Sequence, residues 1–249
     1  MKNLDILEHD EWAHCQPKTR TAGKVEIGNV FGVLPFDGVR NPLTTSSHSQ
    51  KIAFKYKTEA NEWRPKIGLA ESGAELAVSH ELLLLPKTFN VEFQPVCFPF
   101  INSLGLKRDH TIDIRLTLKS GMRVFIFVRN ANSLKKRETW ADIAAIRDAV
   151  PQSEAHKFMI VDASAFGRPR RDNLRRIHFS SMFEADPEAD AETLWVAKKI
   201  KTLWRISDLF DYSELLAGRI YKSCLRLIGR GALQADKNAV IGPHSRIWI

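Results

Sequence analysis

Apolar and small residues recur at helical spacing between Glu71 and Leu85, and Pro86 ends the run. Ser72 is a preferred N-cap residue, and Glu75 stands three positions later, where its carboxylate can complete a capping box. The pattern therefore predicts a capped helix over 71–85.

The segments that follow alternate between strand and helix patterns. Strand character is found in Val91–Phe98, Thr111–Leu118, Met122–Val128 and Lys157–Asp162, and helical periodicity in Lys136–Val150. Lys119-Ser120-Gly121 is typical of a hairpin turn between the second and third of these strands. We predict an α/β fold with a mixed sheet flanked by helices.

A second pattern begins after the acidic, proline-containing stretch 184–190, which we interpret as a domain boundary. Helical runs are predicted over Leu194–Leu203, Ile206–Phe210 and Leu215–Ile228, with a stop at Gly229-Arg230-Gly231 and an apolar hairpin over Leu233–Ile249. This order is that of a small winged-helix-like domain. The predicted organisation is an irregular N-terminal arm over 1–64, an α/β domain over 65–183 and the winged-helix-like domain over 191–249.

Composition and charge narrow the function. The chain has a formal charge of +8 and a pI near 9.5, which favours a polyanionic partner. No window approaches the roughly 18 apolar residues of a spanning helix, and the first residues lack a signal-peptide pattern, so we expect a cytoplasmic protein without membrane contact. Glycine-loop, HExxH and GxSxG motifs are missing, which argues against nucleotide, zinc and serine hydrolases.

Several short motifs together resemble the TnsA-type transposon endonucleases. The segment Glu71–Val78 and the following Val91–Pro95 resemble that family's helix and strand, the latter with its Gln-Pro ending. His110–Asp113 resembles the aspartate-bearing strand, 121–128 the turn and last catalytic strand, and Asn173–His178 a segment near the end of the nuclease domain. The resemblance implies a restriction-endonuclease-like fold over about residues 40–180.

In that family a helix glutamate and a strand aspartate hold a divalent metal that cuts DNA, and the matching positions are Glu75 and Asp113. Two carboxylates can hold Mg²⁺ and activate water. Without the resemblance, Glu75 would be a helix cap and Asp113 a residue on a solvated strand face. The family's last strand supplies Glu or Gln and then Lys two residues on, and here these positions are Phe127 and Arg129. Phenylalanine cannot ligate metal, so the resemblance implies a degenerate site.

This departure predicts a local ion pair. Residues two apart on a strand share a face, so Arg129 is expected to point toward the two acids together with Phe127. We predict that the Arg129 guanidinium lies within hydrogen-bond reach of Glu75 or Asp113 and takes the place of the metal. No cofactor is then required, whereas Mg²⁺ would be held by Glu75 and Asp113 in an active enzyme.

Two basic clusters are candidate DNA contacts. The first is an arginine-rich segment with Arg168, Arg170, Arg171, Arg175 and Arg176. The second is a set of cations at helical spacing, Arg219, Lys222, Arg226 and Arg230. The alternatives are a solvated loop for the first cluster and a helical bundle that docks protein partners for the second.

The sequence thus predicts a protein that binds double-stranded DNA through a TnsA-like scaffold with a degenerate site, in a mobile-element, phage or regulatory context. One alternative is an active, metal-dependent DNA endonuclease. A second is a protein-interaction subunit that docks on a transposase-like or transcriptional partner through residues 1–64. The oligomeric state is left open by the sequence.

Overall fold

The computed structural model describes residues 25–43, 51–200 and 204–249. The strands are β1 (Ile52–Tyr56), β2 (Lys66–Ala70), β3 (Thr88–Phe93), β4 (Cys97–Ile101), β5 (Lys107–Thr111), β6 (Ile114–Leu118), β7 (Arg123–Arg129), β8 (Lys157–Asp162), β9 (Gln234–Ala235) and β10 (Ile247–Trp248). The α-helices are α1 (Gly73–Leu83), α2 (Ala131–Leu134), α3 (Arg137–Ala149), α4 (Arg168–Phe183), α5 (Pro187–Lys199) and α6 (Ala217–Gly229). Short 3₁₀ helices cover Glu59–Asn61, Ala163–Ala165 and Ile206–Tyr212.

The central sheet has four strands in the order β3-β6-β7-β8. The first three are antiparallel and β8 is parallel to β7. Gly121 has a φ of 81° in the turn between β6 and β7, a conformation that glycine adopts without strain. A parallel neighbour needs a crossover, and α3 provides it between β7 and β8. The sheet is mixed and flanked by helices, as predicted.

Both faces of this sheet are covered, because successive residues of β7 enter different clusters. Val124 and Ile126 pack with α1 and with Leu174 of α4 on one face. Phe125 and Phe127 pack on the other face, where α3 contributes Ile146 and the β4–β5 hairpin adds further aromatic side chains. The near-continuous apolar run of β7 therefore reflects burial on both sides.

Two predicted strands are each interrupted in the structure. The run Val91–Phe98 breaks at Gln94, which has a φ of 52°, and Thr111–Leu118 breaks at Asp113. The chain between these breaks forms a separate β4–β5 hairpin rather than continuing the central sheet. A polar residue within each apolar run, Gln94 or Asp113, marks the break.

The C-terminal elements surround a second apolar cluster. It is formed by α5, the 3₁₀ helix Ile206–Tyr212, α6 and the segment that carries β9 and β10. The acidic stretch contains the N-terminus of α5, because Asp186 is its N-cap and Pro187 its first residue. Helix α4 contributes Leu174 to the first cluster and Ile177 to the second, so it is shared by both.

The arginine-rich segment is helical, since Arg168 begins α4. The alternative of a solvated loop there is wrong, because buried Asn173, Leu174 and Ile177 fix this helix against its neighbours. Residues 1–24 and 44–50 of the predicted arm, and the end of the predicted helix Leu194–Leu203, lie outside the described residues. Within the described ranges, no helix is both long and apolar enough to cross a membrane.

Candidate functional site

The carboxylate of Asp113 lies at the break before β6, where β7 ends beside it. Its Oδ2 accepts a hydrogen bond from Arg129 Nη1 at 2.9 Å and another from the Val128 backbone N–H at 3.1 Å. Arg129 is the last residue of β7, and its guanidinium carbon lies 5.5 Å from the centre of the Phe127 ring. The predicted ion pair between Arg129 and a site carboxylate is therefore confirmed.

Glu75 occupies the first turn of α1 and is only 5% exposed. Its Oε2 accepts from the Glu71 N–H at 2.9 Å, while Oε1 has no hydrogen-bond partner among the described residues. Burial first, and then the charge of Asp113, raise the pKa of Glu75 to about 8. Glu75 therefore holds a proton at neutral pH.

The predicted capping of α1 is present with one change. The Ser72 hydroxyl accepts from the Glu75 N–H at 3.2 Å, which confirms Ser72 as N-cap. The Glu75 carboxylate bonds to the Glu71 N–H, one residue before the cap, and not to Ser72 itself. The Glu75 carboxylate therefore lies next to the end of β2.

Phe127 is fully buried and belongs to the apolar cluster beneath α3. Its ring stacks on Phe158 at 5.7 Å and on His110 at 5.3 Å between centroids. The position that holds an acid or amide in the resembled family is thus a packed core position in this chain.

Three further residues of the site were not predicted as such. Arg40 pairs with the Glu71 carboxylate and donates from Nε to Gln94 Oε1 at 3.2 Å, and Lys51 Nζ lies 3.9 Å from Glu71 Oε2. Gln94 is fully buried and its backbone N–H bonds to the Asp113 carbonyl at 3.0 Å. The Gln-Pro motif pointed to Gln94, but no sequence signal marked Arg40 or Lys51.

Three cations lie beside the carboxylates of this site. With Glu75 protonated, the carboxylates of Glu71 and Asp113 face the cations Arg40, Lys51 and Arg129. Asp113 already accepts two hydrogen bonds on one oxygen, and the local surplus of charge is positive. Among the described residues, no group of three or more His, Cys, Asp or Glu side chains is placed to hold a metal. The arrangement is suited to an anion such as a phosphate.

The five arginines of α4 divide into two groups. Arg170 forms a bidentate pair with Glu81 at 2.8 and 2.9 Å, and Arg176 bonds to the Tyr221 hydroxyl and the Ile241 carbonyl. Arg170 thus joins α4 to α1, and Arg176 joins α4 to α6, so both side chains stabilise the fold. Arg168, Arg171 and Arg175 are exposed. A Cβ placed on Gly73 would lie 3.5 Å from Arg171 Nη1, so this guanidinium lies at the N-terminus of α1, next to the site.

The four cations of α6 share one face, as their spacing predicts, but that face is paired within the chain. Its ion pairs join Arg219 to Asp186 at 2.7 Å, Lys222 to Glu184 at 2.7 Å, Arg226 to Asp190 at 2.7 Å and Arg230 to Asp190 at 2.8 Å. The acidic stretch interpreted as a boundary is thus the partner of the basic face.

Arg226 must be corrected from a DNA contact to a structural residue. It is 1% exposed, and besides its pair with Asp190 it donates to the Glu184 carbonyl at 3.1 Å. A buried guanidinium cannot reach a phosphate without breaking its pair with the buried Asp190 carboxylate. The Arg226 prediction is therefore wrong.

Neither a scan against models of protein families nor a search of curated proteins finds a match for this chain.

Proposed function

We propose that this protein binds double-stranded DNA on a TnsA-like nuclease scaffold whose metal site is degenerate. The observation that carries the proposal is the 2.9 Å pair between Arg129 and Asp113, which places a fixed cation where a divalent ion would have to bind. Buried Phe127 cannot supply the third group that metal-dependent hydrolysis would use.

The order of elements supports the scaffold. Helix α1 carries the glutamate, Gln94-Pro95 follows β3, the aspartate precedes β6, and a tight turn leads into β7, all in the order that the resemblance implies. In the C-terminal part, α5, a short 3₁₀ helix, α6 and a small two-stranded pairing follow the winged-helix order. The order of helices and strands along the chain is thus the support for the proposed nuclease-like and winged-helix-like parts.

The proposed DNA interface is the positive surface around the site. Arg171 of α4 lies at the N-terminus of α1, exposed Arg168 and Arg175 lie on the same helix, and Arg40 and Lys51 line the site itself. Guanidinium groups bind phosphate with paired donors. The basic face of α6 is left out of this interface because its four cations face four carboxylates of the same chain, those of Glu184, Asp186, Glu188 and Asp190. At the site, the cations outnumber the ionised carboxylates that they face.

A salt titration tests this proposal. Fluorescence anisotropy with a labelled duplex should show affinity that falls steeply with salt, because the logarithm of the association constant falls with the logarithm of the salt concentration by about 0.9 per phosphate contacted. Arg168→Glu with Arg171→Glu should flatten that slope, whereas Arg219→Glu, whose native partner is Asp186, should leave it unchanged. An unchanged slope in the double variant would remove α4 from the interface.

The second candidate is an active endonuclease, favoured by one observation. Glu75 and Asp113 are close enough that the charge of Asp113 raises the pKa of Glu75. Supercoiled plasmid incubated with Mg²⁺ or Mn²⁺ separates the candidates. We expect no nicking, and nicking that disappears in Glu75→Ala would establish the endonuclease instead.

A further inference from the structure

The β4–β5 hairpin begins and ends at the candidate site. The Gln94 N–H bonds to the Asp113 carbonyl at 3.0 Å, and one step further the Ile112 N–H bonds to the Val96 carbonyl at 3.0 Å. Each strand has five residues, so the tip lies about 17 Å from the site at roughly 3.4 Å per residue. The distance from the tip to the site is therefore about half of one helical turn of B-DNA, which is roughly 34 Å long.

The hairpin is held rigidly. Phe98 and Phe100 of β4 pack into the apolar cluster beneath α3, and the Ser103 N–H bonds to Asp142 Oδ1 of α3 at 3.0 Å. At the tip, Asn102 Oδ1 accepts from the backbone N–H groups of residues 104 and 106 at 3.1 and 2.9 Å. The tip conformation is therefore fixed before any partner binds, which lowers the entropic cost of binding.

The tip presents apolar side chains to solvent beside unpaired cations. Leu104 is 75% exposed and Ile101 64% exposed, with half-exposed Leu106 next to them. Lys107 lies directly opposite Ile101 in the hairpin, Arg108 follows it, and neither forms an ion pair within the described ranges. Such a surface is complementary to a partner that has apolar groups next to negative charges. Duplex DNA is such a partner, because its stacked bases are apolar and its phosphates are anionic.

We propose that the hairpin tip inserts Leu104 as a wedge between base pairs of duplex DNA from the minor groove. Lys107 and Arg108 then contact the flanking phosphates, and the DNA backbone continues toward Arg129 and the α4 arginines. This inference rests on the proposed DNA-binding function and adds to it a kink in the bound duplex. Wedges of this kind kink DNA by about 20–90°.

Two measurements on the full chain test the wedge. Anisotropy gives the affinity for a labelled duplex, and energy transfer between dyes at the duplex ends reports the kink. Leu104→Ala should weaken binding about ten-fold and remove the kink, because alanine loses the apolar contact with the bases. This loss of affinity should be the same at low and high salt. Leu104→Met, which keeps an apolar wedge, should retain the kink. The matched control is Leu216→Ala, which removes a leucine 80% exposed at the start of α6.

The cations have a separate readout. Lys107→Ala with Arg108→Ala should make the salt slope shallower by about 1.8, two phosphates at about 0.9 each. Lys157→Ala, at the opposite end of the sheet from Asp113, should not change it. If the wild type binds no duplex, the proposed function fails and the wedge with it. If the wild type binds but Leu104→Ala matches Leu216→Ala in affinity and kink, only the wedge is overturned, and the exposed tip is then a protein contact.

Discussion

At the residue scale, the Glu75 carboxyl gives a direct test of the site's electrostatics. Its pKa is about 8 in the folded state against about 4.5 in the unfolded chain, so the folded state keeps a proton that the unfolded state releases. Stability from this group is present below pH 4.5 and is lost as pH rises toward 8, by about 1.4 kcal/mol per pH unit. Glu75→Gln should remove that loss, so its advantage over the wild type should grow between pH 5 and 8.

Urea unfolding across this pH range measures the effect. Exposed Glu62→Gln is the matched control and should show no pH-dependent difference. A Glu75→Gln advantage that is the same at pH 5 and pH 8 would show that Glu75 is ionised in the fold.

Removal of the Arg129 side chain should lower the stability of the fold and allow a cation to bind at Asp113. Arg129→Ala leaves Asp113 with only the Val128 N–H as partner, which should cost about 1–3 kcal/mol of stability. It also frees the site for a cation, so millimolar Mg²⁺ should raise the melting temperature of Arg129→Ala but not of the wild type. Adding Asp113→Asn should abolish that response. A wild-type melting temperature that climbs with Mg²⁺ beyond matched ionic strength would contradict the account.

The Arg129 pair could be predicted from the sequence because strand periodicity fixed its face and the resemblance fixed the acids. Arg40 and Lys51 could not. They come from the arm, 31 and 20 positions before Glu71 respectively, and reach Glu71 only through tertiary structure. The raised pKa of Glu75 also depends on burial, which a capping pattern does not encode.

At the scale of elements, α1 and α4 meet through His80 and His178, whose rings stack at 4.3 Å between centroids. Burial lowers the pKa of His80 to about 2 and that of His178 to about 4. The unfolded chain binds these protons near pH 6.5 and the folded chain does not. Stability should therefore fall as pH drops below 6.5, by about 1.4 kcal/mol per pH unit for each histidine until the folded pKa is reached.

Chemical unfolding at pH 7 and pH 5 measures this loss. His178→Phe keeps an aromatic ring in the stack and should recover about half of the difference. Exposed His244→Gln should recover none. Equal losses in all three proteins would mean that the histidine pair does not drive the acid sensitivity.

The packing of α5 on α6 depends on the buried pair between Arg226 and Asp190. Arg226→Ala should destabilise the fold by about 3–5 kcal/mol, because it removes one partner of a buried pair. Arg219→Ala removes a pair that is more exposed to solvent and should destabilise the fold much less. Differential scanning calorimetry compares them. An unchanged free energy of unfolding in Arg226→Ala would contradict the structural role of Arg226.

Elements with local signals were predictable: α1 from its Ser72 cap, the β6–β7 hairpin from Gly121, and β8 with its bounds unchanged. The β4–β5 hairpin was not predictable, because Gln94 adopts a left-handed backbone conformation without glycine. The role of the acidic stretch was also missed, since Asp190 meets Arg226 across 36 residues of sequence.

For the whole molecule, the net charge of +8 is less informative than its distribution. The basic face of α6 is neutralised by the acidic stretch 184–190, and Arg170 by Glu81. Among the described residues, Arg168 and Arg171 of α4 and Lys107 and Arg108 of the hairpin form no ion pair. The surface proposed to bind DNA is therefore the one around the site, and not the helix that charge spacing alone would select.

The most direct test of the central claim is the affinity of the wild-type protein for duplex DNA measured by anisotropy in EDTA and again in Mg²⁺. Because Arg129 supplies the positive charge of the site permanently, we expect salt-sensitive binding in EDTA and no stronger binding in Mg²⁺. Binding that appears only when Mg²⁺ is added, or no binding in either buffer at low salt, would contradict it.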